Sequence, residues 1–150
     1  MSARAHPPDT LRWRRLWLRA GLTLLAGGAA MTGFWAALAP HAFYAGFPGG
    51  GHAWVATLPP YNEHLVRDVG DLYLGFTVLL VWAAVTLRRQ LVYAALVAWL
   101  ASALPHTIFH LGHLDGYAPA DAVAQTAVLA LTVLLPIALL ISVDHVRETD

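Results

Sequence analysis

Four stretches of this 150-residue chain run without one Asp, Glu, Lys or Arg: Ala20 to Ala39, Leu72 to Leu87, Leu91 to Leu111 and Ala122 to Val143. A helix needs about 20 apolar residues to cross ~30 Å of hydrocarbon. The first and last stretches meet that length outright. Lipid cannot satisfy free backbone N–H and C=O groups, so a spanning segment must be helical. The pattern predicts an all-α polytopic membrane four-helix bundle in a single domain. Composition agrees: 58% of residues are hydrophobic and 12% charged, about half the charge of a soluble domain. Cysteine is absent, which excludes disulfides and thiolate metal sites.

Arginine sets the orientation, since basic residues concentrate on the cytoplasmic side. Arg4, Arg12, Arg14, Arg15 and Arg19 precede the first span, Arg88 and Arg89 join the second to the third, and Arg147 follows the fourth. Only Arg67 falls opposite. Both termini are therefore expected in the cytoplasm, with an amino-terminal segment 1–19 and a tail 144–150. The spans are about 20–39, 66–87, 91–111 and 122–143, the outer loops 40–65 and 112–121, and the location a plasma (inner) membrane. "WRRLWLRAG" is similar to a twin-arginine export signal, but Pro40 after Ala37-Leu38-Ala39 disfavours cleavage, and the apolar run is long for a signal core. Phe43, Tyr44, Phe47, Trp54 and Tyr61 in the first outer loop read as an interfacial aromatic belt, or else as a lid over a site. Pro59-Pro60 stop any helix there, and Asn62 can cap the next.

Depth then places the polar residues. Leu72 to Leu87 covers only about 24 Å at 1.5 Å per residue, so the second helix must draw Asp71 and Asp68 down to the hydrocarbon boundary. By the same reasoning the third carries His106 and His110 to the outer boundary. His64, Asp68 and Asp71 fall at i, i+4 and i+7, as do His106, His110 and His113. Each set shares one helical face. A tight "RRQ" turn makes the two spans antiparallel neighbours. If the polar faces meet, Asp71 stands level with His106, Asp68 with His110 and His64 with His113, with Glu63, Arg67 and Asp115 at the rim. Pro105 frees the carbonyl of Ala101 and kinks the helix just before the histidines.

Imidazole with carboxylate suits zinc, iron, manganese or copper(II), and bundles commonly supply such ligands inward. The leading expectation is thus a metal site of His64, Asp68, Asp71, His106, His110 and His113, with Glu63, Arg67 and Asp115 around it. With an open coordination position, that ion could activate water or reduce dioxygen or a quinone, on a lipid-soluble or extracytoplasmic small molecule. The alternative is a non-catalytic structural or pH-responsive subunit, in which the same groups satisfy one another without metal. Haem requires axial histidines from opposed faces, and only His64 against the third helix offers that, which argues against it. No phosphate loop, nucleophile elbow or HExxH motif occurs. The basic, tryptophan-containing "LRWRRLWLR" suits lipid headgroups, not nucleic acid. Small residues in "AGGAA" permit close helix packing, within the chain or in a homo-oligomer or larger membrane complex.

"YNEHLVRDVGDLYLGF" and "PHTIFHLGHLD" together resemble a family of small four-helix membrane proteins of high-GC actinobacteria. The motifs are NEHLxRDxG and PHxxxHLxHLD, carried by spans two and three. The resemblance implies a fold and a location but no reaction. The layout is similar, more weakly, to DoxX-like four-helix proteins. The H-x3-H spacing resembles the histidine boxes of membrane desaturases, but the paired "HH" boxes are missing and that activity is not carried over.

Overall fold

The computed structural model describes residues 8–58 and 60–144. Its elements are α1 (Pro8–Leu38), α2 (Pro40–Gly46), α3 (Glu63–Thr86), α4 (Arg89–Leu111) and α5 (Pro119–Asp144), with no strand among the described residues. Four of them, all but α2, are long and apolar enough to cross a membrane. Each helix outruns its apolar segment at one end or both. α1 carries Arg12 to Arg19 in its first turns, and α3 begins at Glu63, where the Asn62 side chain accepts from Leu65 N at 3.3 Å.

Local chemistry sets the breaks. Ala39 precedes a proline, which pushes it out of the helical region (φ −136°), and Pro40 then starts α2 from its first position. Leu87 takes a left-handed φ of 48° to end α3. With Arg88 it makes a two-residue turn into α4, tighter than the "RRQ" turn expected.

The spanning helices form a ring: α3 against α1, α1 against α5, α5 against α4, and α4 against α3. The closest pairs are α1 with α3 and α4 with α5, so the sequential α3–α4 hairpin is one of the looser contacts. Backbone proximity explains the first pair. A Cβ added at Gly70 would stand 2.9 Å from Ala37 Cα and 3.0 Å from Ala36 C, and one at Gly33 would stand 3.0 Å from Leu74 N. Glycine at those places lets two backbones touch, the usual basis of helix association in lipid. The closest backbone approach therefore runs through Gly33, Ala36 and Ala37, while "AGGAA" puts Ala26 and Ala29 into the core and leaves Gly27 and Gly28 facing open space. Leu22, Leu80, Leu96 and Leu139 fill the centre with no exposed surface. Trp99 of α4 lies edge-on to Tyr73 and Phe76 of α3 and donates Nε1–H to the Thr132 carbonyl of α5 at 2.9 Å.

Large apolar side chains such as Leu24, Phe34, Val78, Trp82, Val97, Leu131 and Leu134 are exposed along the middle of the helices. Water would not tolerate that much apolar surface, and lipid requires it. The chain is an integral membrane protein of the multi-pass kind.

Candidate functional site: the capped outer end

The loop ends of α1/α3 and α4/α5 are closed by a folded cap. Trp35, Phe43, Phe47 and Trp54 form a chain of ring contacts, with centroids 5.8, 4.9 and 6.3 Å apart in that order. Gly49, Gly50 and Gly51 all have positive φ, and this run turns the chain back so that Trp54 N bonds to the Phe47 carbonyl at 2.8 Å. Trp54 is buried. Its Nε1–H donates to Asp121 Oδ1 at 2.9 Å, and His52 Nδ1 meets the same oxygen at 2.7 Å. Tyr117 O–H donates to the Trp54 carbonyl at 2.7 Å. Asp121 thus holds residues of the α2–α3 connection from the first turn of α5, where the helix dipole also favours a carboxylate. The outer aromatics are therefore a packed cap more than a simple belt. His41 and Tyr44 place their rings against Tyr61. The Tyr61 phenol titrates above its ordinary range, through desolvation first and then the Glu63 charge, with Arg67 opposing.

The histidines and carboxylates singled out by spacing are all at this end, but they make separate local groups. His64 Nδ1 lies 3.4 Å from Asp68 Oδ1 one turn along α3, both exposed. Asp68 and Asp71 line an open groove of about 490 Å³ with Leu72 and Gly75. Glu63 holds Arg67 through bonds of 2.8 and 2.9 Å, and Arg67 Nη1 donates to the Ala37 carbonyl. That cation satisfies a carbonyl in the last turn of α1 and complements its dipole. On α4, the His106 and His110 rings are 4.5 Å apart. His113 stacks on Phe109 at 4.1 Å and bonds through Nδ1 to the Phe109 carbonyl at 2.7 Å. Asp115 and His113 border a smaller recess of about 230 Å³ with Thr57 and Gly116.

The expected opposition of the two polar stripes does not occur. Tyr73 and Phe76 are the α3 residues that meet α4. At 100° per residue, the stripe of His64, Asp68 and Asp71 lies roughly 140° round the helix from them. The rotation of α3 is set by Gly70, which must face α1, and this turns the carboxylates to the outside of the ring. By the same count Val66 and Val69 fall on the side of α3 that carries Tyr73 and Phe76. The structure does not bring the six proposed ligands together. Among the described residues, no three or more His, Asp or Glu side chains converge as a metal site.

A polar group that spacing did not single out lies between α4 and α5. Gln125 is the one fully buried polar residue among those described, with 3% of its surface exposed. Its side chain adjoins His110. Yet Gln125 Oε1, His110 Nδ1 and Thr107 Oγ1 are all buried without a hydrogen bond. Comparison with known protein families, with characterised proteins and with solved structures finds no match for this chain.

Proposed function

We propose that the chain is a non-catalytic structural subunit of a plasma (inner) membrane. Both termini face the cytoplasm, and an aromatic cap faces outward on a four-helix base. The arginine distribution supports the orientation. The observation that carries the reading is the Asp121 clasp, in which one carboxylate joins His52 and Trp54 and ties the two outer loops together. This histidine–carboxylate contact joins the indole bond of Trp54 and the Tyr117 bond to the Trp54 carbonyl as long-range polar links at that end, and its partners are occupied with each other, as befits a structural joint. The resemblance of spans two and three to small actinobacterial membrane proteins is consistent with this location.

Asp121 is about one-quarter exposed and accepts a charge-assisted bond from a buried indole. Replacing it with alanine leaves Trp54 Nε1 unpaired at a cost of about 1–3 kcal/mol. In detergent-purified protein, D121A speeds hydrogen exchange at amides 47–58 and leaves the middle of α1 and α3 unchanged. Unchanged exchange in 47–58 would refute the clasp. Reporter fusions should give a cytoplasmic carboxy terminus and an external 49–51 loop; the reverse would refute the orientation. The adjacency of His106 and His110 favours a second reading, metal binding, in a form smaller than the six-residue site.

A further inference from the structure

We propose that His106, His110 and the Gln125 side-chain amide hold one divalent transition-metal ion, of the zinc or copper(II) type, at the outer boundary of the membrane. The inference does not depend on the structural role given to the cap, which uses other residues.

Three observations converge. First, His106 and His110 sit one turn apart on α4 with ring centroids 4.5 Å apart, in an edge-on arrangement. At a metal–nitrogen distance of 2.0–2.1 Å, two nitrogens on one tetrahedral ion stand roughly 3.4 Å apart. Second, Gln125 comes from a different helix, is 3% exposed, and has no bond to Oε1. An amide oxygen buried in this way is costly unless its lone pairs find a donor or a cation. Third, the His110 side chain adjoins Gln125, and its buried Nδ1 makes no hydrogen bond of good geometry. Without a metal, the only partner these two groups have at hand is each other, and a cation would take a lone pair from both.

Depth is compatible with a charge. His106 lies 17 residues from Arg89, the inner start of α4, and Gln125 lies 18 residues from Val143, near the inner end of α5. At 1.5 Å per residue these are about 26 and 27 Å, so the two groups are level and ~3–4 Å inside a 30 Å hydrocarbon layer. His106 is exposed there. A cation so close to the interface keeps water on its remaining positions and avoids the full penalty of midspan burial. Two imidazoles with one amide oxygen make a neutral set that suits zinc, copper or nickel over calcium or magnesium. His113 is left out, because its ring stacks on Phe109 and no three His, Asp or Glu side chains converge among the described residues. Asp68 and Asp71 are excluded by the rotation of α3.

Tag-free protein in detergent at pH 7.5, titrated with Cu²⁺ and read by electron paramagnetic resonance, tests the site. One saturable equivalent with hyperfine coupling from two imidazole nitrogens is expected, displaced by Zn²⁺. H106Q and H110A should each lose one nitrogen and at least about tenfold in affinity, and Q125L about tenfold. H64A and H113A should match the parent chain. Saturable binding that survives H106Q and H110A, equal loss in H113A, or no saturable binding overturns the proposal. H106Q changes an exposed side chain, so it carries the test even if H110A does not fold.

Discussion

Gly70→Ala isolates the contact on which the ring of helices turns. The added methyl carbon would lie 2.9 Å from Ala37 Cα and 3.0 Å from Ala36 C. Ordinary contact begins at about 3.4 Å, and the obstructing atoms are backbone, which cannot swing aside as a leucine side chain can. α1 and α3 must therefore separate by roughly 0.5–1 Å. A gap of that size forfeits a quarter to a half of each dispersion contact along the interface, and overpacking of a close-packed core costs about 1–3 kcal/mol. Two controls calibrate the result. Gly28→Ala and Gly75→Ala add the same methyl where nothing lies within 4 Å. Each should be neutral or gain up to about 1 kcal/mol from helix propensity. Mixed-micelle unfolding, titrated with SDS and followed by circular dichroism, reads all three. The reasoning is refuted if G70A unfolds at the same SDS fraction as G28A. It is refuted equally if G75A loses as much as G70A, since the cost would then be general to α3.

Trp99→Phe keeps the ring contacts with Tyr73 and Phe76 but removes the donor to the Thr132 carbonyl. A loss of about 0.5–1.5 kcal/mol is expected by the same unfolding assay, and Trp99→Ala should cost about 3–5 kcal/mol. Asn62→Ala removes the acceptor for Leu65 N at the start of α3. It should cost about 0.5–2 kcal/mol and raise hydrogen exchange in the first turn of α3 alone.

The all-α class and the four spans were legible from apolar length, whereas of the helix neighbours only the α3–α4 pair was expected, and it is one of the looser contacts. The i, i+4 spacing does put His64 beside Asp68 and His106 beside His110. Rotation about each helix axis was not legible. The expectation that polar faces turn inward was outweighed on α3 by a single glycine that must meet the α1 backbone. A glycine carries no hydropathy signal strong enough to announce that. Glu63 and Arg67 were placed at the rim of a metal site, whereas they hold the end of α1. The Asp121 clasp joins residues 67 apart in sequence, and no local period records such a link. One trace existed: Asp121 is the sole acid in the segment "GYAPADAVAQ" opening the last span. Gln125 left a similar trace, as the one amide side chain of the last span.

The closest pairings in the ring carry a consequence for assembly. α1 is the least apolar of the four spans, and the helix that covers its Gly33 face begins at Glu63, after the whole cap segment. A ribosome feeding this chain into a bilayer therefore delivers α1 before its mate exists. Until then the exposed small-residue face meets lipid or a neighbouring insertion factor, and α1 stays in place by its own partitioning and its arginine anchors. The cap can close only after Asp121 has emerged at the start of α5, so it is completed later than the three spans that precede it.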